Sequence, residues 1–471
     1  MATTPTARRW ALLAVSVGVF CIQLDSFALN LAIPQIGRDL EVSGGGLQWV
    51  ISAYLLSTGT FMLGAGRLGD LFGRRKLLLL GLTLFGGSSL LCALAPTLPV
   101  LVCARIAQGA GAAMIMPVGL SLLTNLYPGN LRTRAIGAAL GIGGVATAFG
   151  PFIGGVLTDH SSWRAVFWLN VPLALIGALA ATRTTESYDA KADRKVDWSG
   201  LATVTAALAV LAVVVDRSSH WSWPPVVVGL IAAGTVGGIF VRHERATANP
   251  LIELALFRNT PYVALTLAGA VANTATVMFL FIVPLSLQGI WTLSVALAGV
   301  VFLAPATAMA LAGPLAGRVS SRRAVPVMLV CLAIGALSLL TLAWAPNLPV
   351  YLVAATSGGV VLGLGNSLTL TATQAVIKPE RAGEASGVTK TVITVAAGLG
   401  IGLSGAVTQQ DSGGSHAATT TALLVTALGC VLACLILAIW TVLKEDSSSR
   451  SPRRHGAPET KHKSPPNASR R

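Results

Sequence analysis

Residues 47–93 read LQWVISAYLLSTGTFMLGAGRLGDLFGRRKLLLLGLTLFGGSSLLCA. Two apolar runs, 47–66 and 77–95, flank a short charged segment holding Arg67, Asp70, Arg74, Arg75 and Lys76. A helix needs about 20 apolar residues to cross a hydrocarbon core about 30 Å thick, and each run has that length. The runs are too long and too evenly apolar for barrel strands. The pattern predicts two membrane helices joined by a tight basic turn.

The same pattern extends in both directions. Fourteen apolar runs are found, at about 10–33, 47–66, 77–95, 99–123, 135–157, 164–182, 199–215, 224–241, 262–287, 294–317, 325–344, 350–374, 386–409 and 418–442. Of 471 residues only 11% are charged and 54% are hydrophobic, with a mean hydropathy of +0.73. Soluble domains carry about 25% charged residues, so the solvent of this chain is a lipid bilayer. The reading is an all-α polytopic membrane protein of fourteen spans.

The net charge of +15 could suggest nucleic acid, but its distribution argues against that partner. With the N-terminus inside, most Lys and Arg fall in cytoplasmic segments, while the outer side holds only Arg38, Arg164 and Arg217. This positive-inside asymmetry predicts an even number of spans and cytoplasmic termini. Tryptophans, among them Trp10, Trp49, Trp163, Trp198 and Trp223, cluster at predicted span ends, where indole prefers the interface. The six cysteines all fall inside spans, so no disulfide is expected.

The chain divides into a six-helix bundle (1–182), a linker with two additional helices (183–261), a second six-helix bundle (262–442) and a polar, basic tail (443–471) expected to be disordered. A weak repeat supports the two halves: the charged segment after span 2 has a partial copy, Gly313 to Arg323, after span 10. Duplicated bundles enclosing a central site are typical of secondary transporters.

Asp25 is the one carboxylate well inside a span, and Arg105 the one deeply placed cation. A charge at that depth costs at least about 2.5 kcal/mol, so it needs a partner or a wet cavity. At about 1.5 Å per residue, Asp25 lies roughly 6 Å and Arg105 roughly 9 Å to the outer side of their span centres. These depths allow a static helix-holding pair, or a proton carrier tuned by an arginine. Desolvation and a nearby cation push a carboxylate's proton affinity in opposite directions.

Five motifs carry a family resemblance. Residues 64–76, GAGRLGDLFGRRK, match G-x-L-x-D-R-x-G-R-R except that Leu71 replaces a basic residue. Leu24-Asp25, Asn30, Ala32 and Pro34 match L-D-x-x-x-x-N-x-A-x-P, and Arg105 to Ala112 match R-x-x-Q-G-x-G-A. Gly150-Pro151-Phe152-Ile153-Gly154-Gly155 match G-P-x-x-G-G, and Trp163 to Pro172 match W-R-x-x-F-x-x-N-x-P. Together they resemble the fourteen-helix drug:proton antiporters of the major facilitator superfamily, over nearly the whole chain up to the tail.

That resemblance implies alternating access, with two six-helix bundles and two extra helices between them. It implies a conformational latch at Gly66, Gly69, Asp70, Gly73, Arg74 and Arg75, and an antiporter seal at Gly150, Pro151, Gly154 and Gly155. On the residues themselves, Gly69 and Gly73 suit a tight turn, and Asp70 suits a helix N-terminus. Proton coupling would fall to Asp25 and Arg105. Cavity candidates are Ser26, Asn30, Tyr54, Gln108, Asn273, Thr276, Phe279, Asn366 and Lys390. Their mixed amide, hydroxyl and aromatic character suits a small hydrophobic substrate with a few polar groups. Lys390 would disfavour cations.

No nucleotide loop or metal spacing is present, so neither an enzyme, a cofactor nor a bound metal is expected. The expectation is a monomer in a bacterial inner membrane that exchanges protons for drug-like molecules. A proton symporter for a nutrient and a transport-inactive sensor with the same fold stay open.

Overall fold

The computed structural model describes residues 5–42, 46–187, 197–218, 221–247, 250, 252, 254–319, 321–377, 382–408 and 416–449. Every described element is helical, and fourteen helices are long. The N-terminal half is α1 (Pro5–Ala28), α2 (Trp49–Phe72), α3 (Arg74–Ala93), α4 (Leu98–Leu126), α5 (Gly129–His160) and α6 (Arg164–Thr182). Two connecting helices follow, α7 (Trp198–Arg217) and α8 (Trp223–Ala246). The C-terminal half is α9 (Thr260–Gly289), α10 (Val295–Ala312), α11 (Ser321–Ala343), α12 (Leu348–Ala375), α13 (Ala382–Thr408) and α14 (His416–Ser449). The last helix therefore runs past 443, the expected start of the tail, and 450–471 lie outside the described residues.

Twelve of these helices are apolar enough along their length to span a membrane. Among the described residues, α2 and α13 contribute the apolar stretches Trp49–Met62 and Gly387–Ile401. Both carry charge toward one end, Arg67 and Asp70 on α2, Glu384 and Lys390 on α13. These two helices pack against each other across the halves. Two spans that carry charge therefore meet at the seam, where a polar face need not look at lipid.

Each half has its own core. Leu82, Phe85, Ile115 and Leu122 are among the N-terminal core residues. A larger C-terminal core includes Phe279, Phe302, Met328 and Tyr351, and reaches across to Phe27, Leu31, Ile51 and Ala148. The second inter-half contact is α5 on α10. Meanwhile α7 touches both halves: Leu201 reaches Gly64 of α2, and Leu208 packs with Leu56 of α2 and Val395 of α13. Much of α8 faces outward, with Trp223, Val228 and Ile231 exposed, as lipid contact requires.

The turn between α2 and α3 is tighter than the sequence suggests. Gly66, Gly69 and Asp70 continue α2 as helix, and the chain reverses at Gly73 alone, where φ is +110°. Gly69 serves packing instead, since a Cβ there would lie 2.9 Å from Val118 of α4. The matching segment after α10, Gly313–Arg318, winds as a 3-10 helix, so the repeat persists in sequence more than in backbone.

Candidate functional site

Asp25 and Arg105 meet in the interior of the N-terminal half, both fully buried. The Arg105 Nη1 group donates to Asp25 Oδ2. Helical spacing puts Gln108, three residues on, on the same face of α4. Its Nε2 donates to Asp25 Oδ1 at 3.0 Å and to Ser89 Oγ of α3 at 2.7 Å, while its Oε1 accepts from Arg105 Nη1 at 2.6 Å. From α6, Asn170 Nδ2 donates to Asp25 Oδ1 at 2.9 Å. Arg105 Nε donates to the Val50 carbonyl at 2.7 Å, and the guanidinium lies 4.1 Å from the Tyr54 ring centroid and 5.8 Å from that of Phe167.

Five helices thus converge on one carboxylate. Two neutral amides and a guanidinium serve its oxygens, which is how a buried anion is held without water. The arrangement can stabilise a charge at Asp25, and a proton arriving there would have to disturb named hydrogen bonds. Ser89 and Asn170 were not among the expected site residues. The signal for Asn170 was present, because it is the polar residue in the middle of an otherwise apolar run.

The other expected residues divide by location. Tyr54 floors Arg105, and Gln108 belongs to the cluster. Ser26 is half-buried, and its hydroxyl donates to Ile22 O within its own helix at 2.7 Å. Asn30 Nδ2 donates to Leu280 O of α9 at 2.8 Å, linking the halves. Asn273 Nδ2 donates to Ile393 O of α13 at 2.8 Å, and Thr276 Oγ1 to Ala272 O at 2.8 Å. Phe279 lies in the C-terminal core against Phe302, ring centroids 6.1 Å apart. Asn366 and Lys390 are half-buried on α12 and α13.

At the α2–α3 turn the arginines engage the end of α6 and the start of the linker. Arg74 Nη1 donates to Ser187 Oγ at 3.0 Å. Arg75 Nε and Nη2 donate to the Ala181 and Thr182 carbonyls at the end of α6, at 3.2 and 2.7 Å. Glu186, a residue sequence reasoning passed over, accepts from the Arg75 N–H at 2.9 Å and so caps α3 from the linker. A Cβ at Gly73 would sit 2.7 Å from that carboxylate. The Asp70 side chain lies outside the described residues.

The Gly150–Gly155 segment sits where three helices crowd. A Cβ at Gly154 would lie 2.0 Å from the Ala28 carbonyl oxygen of α1, too close for any side chain. One at Gly155 would lie 2.9 Å from Val295 O of α10, and Gly299 of α10 comes as near to Pro151 and Phe152. Small residues here permit backbone-to-backbone contact between the halves.

A second polar cluster lies at the chain end of α1. Asp39, on the short helix Ile33–Asp39, pairs with Arg164 and accepts from the Trp163 indole N–H at 2.9 Å. Trp163 is wholly buried, so it joins helices here instead of anchoring in a lipid interface.

A family model for the Major Facilitator Superfamily matches residues 15–241 and 265–468. The multidrug resistance protein Stp of Mycobacterium tuberculosis (strain ATCC 25618 / H37Rv) is 34% identical over 408 residues, covering 84% of this chain and 75% of that protein. The tetracenomycin C resistance and export protein of Streptomyces glaucescens is 35% identical over 321 residues, 67% of this chain and 59% of that one. Among solved structures, a POT family transporter superposes with a TM-score of 0.65 at 13% identity, covering 93% of this chain and 96% of that one. The human organic anion transporter MFSD10 gives 0.60 at 15%, covering 92% and 100%. At those identities the likeness is one of fold. With its fourteen long helices, its paired halves and this match along both of them, the chain belongs to the Major Facilitator Superfamily.

Proposed function

We propose that this protein is a proton-coupled antiporter that exports small hydrophobic compounds by alternating access. The observation that carries the reading is the buried cluster around Asp25. An acid placed in a membrane interior, with hydrogen-bond donors from α4 and α6 and an arginine on the far oxygen, suits a group that is charged and discharged in a cycle. Relatives named for drug resistance and export support drug-like cargo. The contacts Asn30–Leu280 and Gly155–Val295 suit one end of the molecule closing while the other opens. The basic α2–α3 turn would face the cytoplasm of a bacterium, with both termini on that side. The favoured cargo is neutral or weakly acidic, because Lys390, half-buried on α13, would disfavour cations.

The test uses inside-out vesicles with an imposed proton gradient, wild type against Asp25→Asn, and a panel of neutral, acidic and cationic hydrophobic compounds. Substrate-triggered loss of the gradient in the wild type, absent in the variant, is expected. Loss that survives in Asp25→Asn would move proton coupling elsewhere. No response to any compound from folded protein would favour the symporter or sensor.

A further inference from the structure

The amides that touch Asp25 are not equivalent. Gln108 is fixed at both ends: its oxygen accepts from Arg105 and its nitrogen serves both Asp25 and Ser89. Turning it over would set an NH2 group against the guanidinium, donor facing donor. Asn170 is fixed at one end only. Its Nδ2 donates to Asp25 Oδ1, while its Oδ1 is buried without a hydrogen-bond partner. The residue itself is fully buried. An unpartnered buried carbonyl oxygen is costly; Arg105 Nη2 is also buried without a partner, but it is a donor and cannot accept from an acid O–H.

We infer that Asn170 holds Asp25 in both of its protonation states, its side-chain amide turning over as the proton arrives and leaves. The inference rests on the proton-coupling role proposed for Asp25. When Asp25 is ionised, Oδ1 accepts from Asn170 and Gln108, and Oδ2 from Arg105. Oδ2 stays committed to the guanidinium, so an incoming proton lands on Oδ1. That new O–H then faces the Asn170 N–H, two donors in contact. Rotating the amide by half a turn presents the Asn170 oxygen to the acid O–H and breaks no other hydrogen bond of Asn170. Gln108 keeps donating to the remaining lone pair of Oδ1. An asparagine carries both a donor and an acceptor on a planar group of nearly symmetric shape, so the turn needs no extra room. The other titratable groups facing the carboxylate are Cys21 on α1, Tyr54 on α2, Cys92 on α3 and Arg105 on α4. Asp25 Oδ1 is hydrogen-bonded to Gln108 and Asn170 and to none of these groups. Asn170 is a positioning residue in this scheme, since the proton never sits on it.

The test is infrared difference spectroscopy of the full chain in lipid, recorded between acid and alkaline buffer with the proton as the only ligand. In the wild type a protonated-carboxyl C=O band that vanishes in Asp25→Asn reports the acid. It should appear together with a side-chain amide C=O band that moves when asparagine alone is carbon-13 labelled and that is lost in Asp25→Asn. In Asn170→Leu, a close match in volume, the carboxyl band should shift to higher frequency as its hydrogen bond is lost. If the carboxyl band is present but no asparagine-labelled band accompanies it, the inference fails while proton coupling at Asp25 stands. If no carboxyl band depends on Asp25 at any pH, both readings fall. The labelled wild-type spectrum decides the matter even where Asn170→Leu does not fold.

Discussion

Two aspartate–arginine pairs, Asp25–Arg105 and Asp39–Arg164, are built alike and placed differently. In each, an aspartate from α1 or from the short helix after it meets an arginine lying over an aromatic ring, Arg105 over Tyr54 at 4.1 Å and Arg164 over Trp163 at 4.2 Å. In each, the arginine also donates to a backbone carbonyl, Val50 or Ala95. The first pair is sealed off on both sides, whereas Arg164 and Asp39 are 30% and 44% exposed. The contact chemistry is shared, so the surroundings set the energetic weight. A buried charge that loses its partner has no solvent to turn to, while an exposed one does.

The largest expected effect comes from breaking the buried pair. Arg105→Met should cost about 3–5 kcal/mol, because it strands Asp25 without a countercharge. The loss should be read as a fall in thermal unfolding temperature in detergent. Adding Asp25→Leu to the same chain should restore most of that stability while leaving proton-driven transport absent. Recovery of fold without recovery of transport would separate the structural worth of the pair from its chemical one.

The aromatic floor comes next. Tyr54→Leu removes the ring beneath a desolvated guanidinium and should cost about 2 kcal/mol, again by thermal unfolding. The exposed pair should be far more tolerant. Arg164→Met should cost about 0.2–1 kcal/mol, and added salt should shrink the difference from wild type. If the two arginine variants proved equally damaging, burial would not be the deciding variable.

The smallest effect is a pH dependence at the exposed pair. Hydrogen bonds from Arg164, then from the Trp163 indole, hold the Asp39 carboxyl below its ordinary range. A carboxylate whose folded value is depressed stabilises the fold above the unfolded value, near pH 4, and loses that contribution as pH falls through the folded value. Asp39→Asn should therefore track wild type in strongly acid buffer and fall slightly behind it near neutrality, in unfolding curves recorded across pH.

Much of this is legible in the sequence. The fourteen spans follow from the lengths of the apolar runs, and the meeting of Asp25 with Arg105 follows from two charges that could not be left alone at similar depths. Reading depth along each span does not, however, say which way a side chain turns. The cavity candidates Asn273 and Thr276 hydrogen-bond to helix backbone, partners that polarity alone does not name. Asn30 ties one half to the other in the same way. Asn170 was visible as a motif residue but needed the approach of α6 to α1 before it had a partner. Glu186 was invisible, since a glutamate in a linker gives no hint of the helix end it caps.

The position of α7 has a mechanical consequence. It rests on α2 and α13 at once, so any motion that parts those helices must slide one of them along α7 or peel it away. In water, peeling would expose leucines at a cost. In a bilayer the uncovered surface is taken up by acyl chains as apolar as the leucines. Under the alternating access proposed above, the added helix would work as a gasket, keeping the seam closed to lipid headgroups and water through the stroke while resisting the stroke very little.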